Sequence, residues 1–509
     1  MRRPVARAWL VALALGVALA GGVAASERED LETLRATTLG LIDALVEQGV
    51  LTREQADRLV ERARARAAPP AGKDGKPVVR VPYVPESVKA EIREQVKQEV
   101  IAQARQEGWA DVNALPSWVD RLQWDGDIRL RGQFDLYPPG NAPAFFFQAQ
   151  GQNIDNTTEN NFRLRLRARL GLQARLSDTV AAAFRLTTGN TGDPVSTNQT
   201  LGNYNGKYSV SLDRAYLRLT PTEWFAADAG KVPNPFLSTD LVWNENLNFE
   251  GVSLKFKPYT REIFTFRPEL TLGAYALETF NLSKDDKWLF AAQGGFEWDA
   301  SSNSRLRLGA AYYHYRNIEG VPNAFGSNVN DFTAPPFRQK GNSLFNIDND
   351  GNPNTVLWAL LSQFRLVNLT AVASFEHFAP LRVTLTGDYV RNVGFNTEEI
   401  LRRTGIATSD SKQRTGYYLR AGIGWPALRD RGNWQAFVGY KYLEPNAVVD
   451  AFNDSDFNLG GTNTKGYLLG ASYAVATNTW LTARWLSANQ VVGAPLAIDV
   501  FQLDLNARF

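Results

Sequence analysis

From Gln123 onward, apolar and polar residues alternate with a period of two over segments longer than an ordinary strand. Trp124, Gly126, Ile128, Leu130, Gly132, Phe134 and Leu136 interleave with Gln123, Asp125, Asp127, Arg129, Arg131, Gln133 and Asp135. Further on, Phe162, Leu164, Leu166, Ala168, Leu170, Leu172, Ala174 and Leu176 interleave with Arg163, Arg165, Arg167, Arg169, Gly171, Gln173 and Arg175. A two-residue period sends successive side chains to opposite faces of a strand, so one face is apolar and the other carries the arginines. Strands of soluble sandwiches usually run about 5–6 residues, and these are roughly two to three times that. They match tilted strands that cross a bilayer and extend beyond it.

The same signature continues to the last residue. Trp288, Phe290, Ala292, Phe296 and Trp298 form one apolar set, Leu369, Ala371, Ala373 and Phe375 another, and Phe501, Leu503, Leu505, Ala507 and Phe509 the last. Around Leu270 to Leu277 the facing is ambiguous. Short turns are expected at Ser177-Asp178, Pro221-Thr222, Pro258 to Arg261, Ala300 to Asn303, Ala379-Pro380, Leu428 to Gly432 and Thr477-Asn478. Between them lie longer polar stretches, beginning near Tyr137, Gly189, Pro233, Thr279, Asn317, Asn392, Glu444 and Ser487. Alternating short and long connections are expected where periplasmic turns are tight and external loops long, and the count comes to about sixteen strands. The expected fold is all-β, a transmembrane antiparallel barrel over residues 122–509, with both its ends on the periplasmic side.

The N-terminal quarter has a different pattern. Arg2, Arg3 and Arg7 precede an apolar run from Ala8 to Ala20 and small residues through Ala25. This reads as a secretory signal over residues 1–25, the run being short for a membrane helix. Residues 26–121 then read as a short α-helical periplasmic segment and linker. Leu31, Leu34, Leu41, Ile42 and Leu45 recur at helical spacing, prolines cluster between Pro69 and Pro85, and Val88, Ile92, Val96 and Val100 stripe a further helix.

Aromatic residues gather near the predicted strand ends. Trp124, Trp298, Trp425, Trp434, Tyr442, Trp485 and Phe509 form the expected girdles, because an amphipathic ring is favoured at headgroup level.

Composition narrows the chemistry. Lys and Arg total 55 against 53 Asp and Glu, a formal charge of +2. No basic excess marks a nucleic-acid binder. The chain has no cysteine, which excludes thiolate metal sites and cysteine nucleophiles. Its two histidines, His314 and His377, fall on different strands, and neither a nucleophile elbow nor a phosphate loop is present. Asp348-Asn349-Asp350-Gly351-Asn352 begins like a calcium loop, but Pro353 and Ala359 stand where such a loop needs Gly and Glu. Hence no catalytic residue, metal site or cofactor is expected.

A barrel of about sixteen strands is wide enough for an aqueous lumen. The expected channel wall comprises Arg129, Arg131, Arg163, Arg165, Arg167, Arg169, Arg175, Arg214 and Arg218. Two readings of this wall stand. The guanidinium groups raise the local concentration of anions, or they pair with Asp125, Asp127 and Asp135 into a neutral wall. The balanced total charge leans toward the second. The long stretch from Asn317 to Asn354 either folds inward as a constriction or stands outside as a loop.

The last strand, Phe501-Gln502-Leu503-Asp504-Leu505-Asn506-Ala507-Arg508-Phe509, resembles the C-terminal strand recognised by the barrel-insertion machinery of outer membranes. Trp124-Asp125-Gly126-Asp127-Ile128-Arg129-Leu130-Arg131, the strand from Asn161 to Leu170, Leu212-Asp213-Arg214-Ala215-Tyr216-Leu217-Arg218 and Gly230-Lys231-Val232-Pro233-Asn234-Pro235-Phe236 resemble the putative porin family of Gram-negative outer-membrane β-barrels. Leu45-Val46-Glu47-Gln48-Gly49-Val50-Leu51-Thr52 looks like that family's periplasmic preface. The resemblance implies a porin, a diffusion channel for small hydrophilic solutes in the outer membrane. It also implies surrounding lipid and lipopolysaccharide, and association as a homotrimer, which is common in similar porins. A rival of another class is a barrel acting as adhesin or envelope tether, which needs no open lumen.

Overall fold

The computed structural model describes residues 119–258, 265–280, 285–352, 354–409 and 413–509. The expected signal, helices and linker lie outside the described residues, save the short 3-10 turn Val119–Arg121 that leads into the first strand.

Sixteen strands form one closed antiparallel sheet. In chain order they are β1 (Leu122–Leu136), β2 (Asn161–Arg175), β3 (Val180–Thr187), β4 (Ser211–Thr222), β5 (Phe225–Pro233), β6 (Asn248–Phe256), β7 (Phe266–Glu278) and β8 (Lys287–Ser301). The second half comprises β9 (Ser304–Arg316), β10 (Arg365–Phe378), β11 (Leu381–Asn392), β12 (Thr415–Gly424), β13 (Trp434–Leu443), β14 (Thr464–Ala476), β15 (Thr479–Gln490) and β16 (Ala497–Arg508). Each pairs with its neighbours in sequence, and β1 closes the ring on β16, with Gly132 opposite Leu503 on one side and Leu164 on the other. Closure leaves no unpaired edge, the condition for a sheet in lipid. The short strand Gln199–Thr200 adds to β2. Two short helices, α1 (Ala144–Gln148) and α2 (Thr397–Thr404), sit in the long connections. Among the described residues no helix is long and apolar enough to cross a membrane.

The facing follows the sequence period. On β1, Trp124, Ile128, Leu130 and Phe134 are 42–56% exposed, while Arg129, Arg131, Gln133 and Asp135 are 1–7% exposed. Apolar outside and polar inside is the reverse of a soluble protein, and lipid is the medium that covers such an outer face. On β7, where the sequence was ambiguous, Leu270 is exposed outward while Thr271 and Tyr275 are buried within.

The connections alternate as expected apart from two places. The turn expected at Pro258 to Arg261 lies largely outside the described residues, in a β6–β7 connection (257–265) no shorter than the β7–β8 one (279–286). The other is the last long connection. The last long connection begins after Gln490 and covers only residues 491–496. The polar residues from Ser487 still pair with β16, Ser487 opposite Asp499 and Asn489 opposite Ala497. Polarity there marks a strand rising beyond the lipid, so it does not mark a loop.

The outer half of the barrel holds an apolar core of its own. Tyr275, Leu289, Tyr313, Leu366, Val390, Tyr418 and Leu443 point inward and pack with Leu241, Val242, Trp243, Val448, Val449 and Phe457 from two connections folded inside.

Candidate functional site

One wall of the lumen is built from β15, β16, β1 and β2. The two-residue period puts Arg129, Arg131, Arg163, Arg165, Arg167 and Arg169 on the inner face, and β15 adds Arg484. Arg131 Nε donates to Asp504 Oδ1 at 2.7 Å and its Nη2 to Asp504 Oδ2 at 2.9 Å, a forked pair held in strand register. Arg163 pairs with Asp135 at 2.6 Å. Asp127 is shared by Arg167 at 2.8 Å and Arg169 at 2.7 Å. Arg129 bonds Asn198 and lies 3.9 Å from Asp504. Among the described residues Arg165 hydrogen-bonds neutral acceptors, Gln133 Oε1 at 3.3 Å and Ser196 Oγ at 3.5 Å.

Buried guanidinium groups need acceptors, and the wall holds more of these cations than carboxylates ion-paired to them. The seven arginines Arg129, Arg131, Arg163, Arg165, Arg167, Arg169 and Arg484 meet five carboxylates, Asp127, Asp135, Glu245, Asp456 and Asp504. The Nε atoms of Arg129, Arg163, Arg165 and Arg484 are buried without an acceptor.

The other expected wall residues are distributed differently. Arg214 on β4 donates to Asn248 Oδ1 at 3.0 Å, and Arg218 pairs with Asp228 at 2.7 Å. Arg175 is exposed at the C-terminal end of β2, away from the cluster. Asp125, expected as a partner of the ladder, lies exposed over Gly171 and makes no ion pair among the described residues.

Two connections fold inward and narrow the outer half. Residues 234–247 leave β5 and reach across to β8 and β11. There Leu237 exchanges hydrogen bonds with the Gln293 amide at 2.7 and 2.8 Å, and Thr239 donates from Oγ1 to Asp388 at 2.6 Å. Residues 444–463 leave β13 and meet the first connection, with Asn244 N donating to Phe452 O at 2.9 Å. They also seat two carboxylates on wall cations, Asp454 on Lys441 at 2.5 Å and Asp456 on Arg131 at 3.0 Å.

Residues 317–364 contain the stretch from Asn317 to Asn354, read as either an inward constriction or an external loop, and play a supporting role. Lys340 is buried and donates to Asn458 O and to Gly460 O, the latter at 2.5 Å. Asn342 Nδ2 donates to Pro445 O at 2.6 Å and Val448 O at 2.8 Å. The segment braces 444–463, and among the described residues it makes no hydrogen bond or ion pair with the arginine wall.

The electrostatics of these connections are uneven. Burial alone would raise the Asp456 carboxyl, but Arg131 and Arg484 beside it hold it well below the usual range. Asp450 is pushed up to about 7 by burial, against the pull of Arg338 and Lys340. Lys340 is pushed down to about 7 by burial, against the attraction of Asp450 and Asp454.

The aromatic residues expected in girdles all lie on the outer face or at its ends. Trp124, Trp298 and Phe509 are 43–65% exposed near the barrel end that carries both ends of the sheet's chain, the start of β1 and the end of β16. Trp434 starts β13 at that same end, Trp425 directly follows β12, and Tyr442 lies at the outer end of β13. Trp485 sits at mid-strand on β15, against Phe501 at 6.3 Å between ring centroids. His314, beside Tyr312, and His377, beside Phe375, are on strands β9 and β10 at opposite ends. Among the described residues no group of three or more His, Asp or Glu could hold a metal ion.

Residues 35–509 match the family described as "Putative porin", and the chain belongs to that family. Together with the closed sheet, this places it in the outer membrane as a transmembrane β-barrel. No curated protein matches the sequence. Among solved structures it is similar to the outer membrane channel DcaP of Acinetobacter baumannii, at 9% identity over 76% of this chain and 97% of that one, with a TM-score of 0.41. It is also similar to OprB of Pseudomonas putida, at 12% identity over 77% and 95%, with a TM-score of 0.43. The trimer form of OmpT, an outer membrane protein of Vibrio cholerae, matches at 11% identity over 77% and 100%, with a TM-score of 0.40.

Proposed function

We propose that this barrel is a passive diffusion channel for small hydrophilic solutes and that it prefers anions. The observation that carries the preference is the imbalance on the wall of β15, β16, β1 and β2. Among the described residues seven guanidinium groups share five ion-paired carboxylates, and four of the seven keep a buried Nε without an acceptor. A cation-rich wall in a narrow, low-dielectric passage raises the local concentration of anions. The Asp127 and Asp135 pairs neutralise part of the ladder, as the paired reading expects, but among the described residues Arg165 hydrogen-bonds only the neutral side chains of Gln133 and Ser196.

In this reading solutes pass between the arginine wall and the infolded connections, with Arg163, Arg165, Arg167 and Arg169 as successive contacts. Outer-membrane lipid and lipopolysaccharide cover the apolar exterior, and the strand ending at Phe509 is the address for insertion. No proton transfer or bond cleavage is assigned to any residue.

The test is single-channel recording of the purified full-length protein in planar bilayers. A channel gives discrete conductance steps. A barrel serving as adhesin or tether inserts without them.

A further inference from the structure

Three arginines on adjacent strands point away from the lumen. On β9, β10 and β11 the residues Tyr315, Leu366 and Val390 are buried within, so their chain neighbours Arg316, Arg365 and Arg391 fall on the outer face. All three are exposed, and they stand at the strand ends that lead to long connections. Arg365 lies opposite His314, one same-face step from Arg316. Arg391 lies opposite Val367, one same-face step from Arg365. Diagonal neighbours of this kind are roughly 7–8 Å apart, so the three form one row across three strands.

The outward positions of β9, β10 and β11 hold no Asp or Glu. Among the described residues none of the three guanidinium groups makes an ion pair or a side-chain hydrogen bond. Glu319, in the connection after β9, accepts the Gln363 amide at 2.8 Å. The outer faces of β5 and β6 differ, because Lys231 there carries its own carboxylate, Glu250, at 2.5 Å. Toward the middle of the barrel from the arginine row, Tyr312, Val367, Leu369 and Tyr389 are exposed on the same face. Cations beside an apolar surface edged by tyrosines are the layout of a membrane interface, charges at headgroup level and rings at its boundary.

We propose that this row is a docking site for the phosphate groups of an anionic lipid in the outer leaflet. The phosphates accept hydrogen bonds from Arg316, Arg365 and Arg391, and the acyl chains lie on Tyr312, Val367, Leu369 and Tyr389. The guanidinium fork matches phosphate geometry, and phosphate supplies the negative charge that this face lacks. Free phosphate would engage the arginines alone. A lipid engages the arginines and the adjoining apolar face together, which makes it the occupant. The site deepens the lipid contact stated above for the exterior and does not depend on what passes through the lumen, since a closed barrel carries it equally.

The experiment is titration of the full-length protein in detergent with diphosphoryl lipid A, read by native mass spectrometry as retained lipid. Lipid A with both phosphates removed and inorganic phosphate are the comparison ligands. The wild type is expected to retain diphosphoryl lipid A saturably and the dephosphorylated lipid roughly a hundredfold less tightly. One arginine at an anionic lipid surface is worth about fivefold in affinity. The triple variant Arg316→Gln, Arg365→Gln, Arg391→Gln is therefore expected to bind about a hundredfold more weakly. The double variant Lys231→Gln, Glu250→Gln, which alters the self-paired position on β5 and β6, is expected to bind as the wild type does. The proposal is overturned if the triple variant retains diphosphoryl lipid A as tightly as the wild type, or if the wild type retains the dephosphorylated lipid equally well. Inorganic phosphate that displaces the lipid at equal concentration overturns the choice of a lipid as occupant. Should the triple variant fail to fold, Arg365→Gln alone, expected to bind about fivefold more weakly, decides. None of these readings involves conductance, so the channel proposal stands or falls separately.

Discussion

Arg131 on β1 and Asp456 in the connection after β13 are 325 residues apart, yet Arg131 Nη1 donates to both Asp456 oxygens at 3.1 and 3.0 Å. The pair ties an infolded segment to a strand three places along the sheet from β14. Removing one member leaves the other charge buried with fewer partners. Asp456→Asn is expected to cost about 3 kcal/mol of stability. It is also expected to free residues 444–463, raising single-channel conductance and current noise. Urea unfolding midpoints and current traces check both, and an unchanged trace would mean that the segment does not narrow the path.

The same pair sets an acid limit. The folded-state pKa of Asp456 is depressed below the ordinary carboxylate value of about 3.9. A depressed group contributes stability above its unfolded pKa and loses it as pH falls through the folded value. The anchor is therefore expected to hold from pH 7 down to about 4. Conductance and noise recorded across that range should not show release of the segment.

Asp450 and Lys340 behave oppositely. The folded pKa of Asp450 is raised to about 7, so its contribution is full below the unfolded value and is lost as pH rises through 7. The folded pKa of Lys340 is lowered to about 7, so its contribution grows as pH rises from 7 toward the unfolded value. Arg338, Asp454 and these two are the charged groups around the site. Hydrogen-exchange protection of residues 444–463 is thus expected to be lowest near neutral pH. Asp450→Asn should flatten the acid side of that curve and leave the alkaline side in place.

Gly126 and Phe509 close the barrel. Their backbones exchange hydrogen bonds at 3.0 Å each way, and a Cβ at position 126 would lie 2.4 Å from the Phe509 ring and 2.9 Å from Arg169 O. Gly126→Ala forces the terminal ring aside, at an expected cost of about 1–3 kcal/mol. The fraction that refolds in detergent, read by gel mobility without heating, should fall. Normal refolding would show that the ring shifts freely.

The strands and their facing were legible because the outer face must be apolar at every second position, as Ile128, Leu130 and Phe134 illustrate. The infolded connections were not. Their signal was an exception to the rule, inward apolar residues such as Tyr275 and Tyr313 that seat Phe236 and Trp243. Tyr275 lies in the stretch whose facing was ambiguous, because a strand with a core on one side and lipid on the other is apolar on both. Asp127 and Asp135 could be matched to the arginines because antiparallel register puts β1 beside β2. Asp504 lay in the last strand's alternation, but its bond to Arg131 needs the closure of β16 on β1. Asp456 and Glu245 come from connections, where no periodicity fixes a partner.

Arginine-wall variants test the preference locally. Arg165→Gln removes a cation whose direct hydrogen bonds, among the described residues, go to Gln133 and Ser196, so folding should survive while anion preference declines. Arg163→Gln should also strand Asp135, shifting selectivity further toward cations. Permeability ratios of the two variants measured in parallel give the order.

The most direct measurement is the reversal potential of wild-type channels across a potassium chloride gradient. The wall of β15, β16, β1 and β2 predicts a sign set by chloride. A reversal at zero, or one set by potassium, contradicts it.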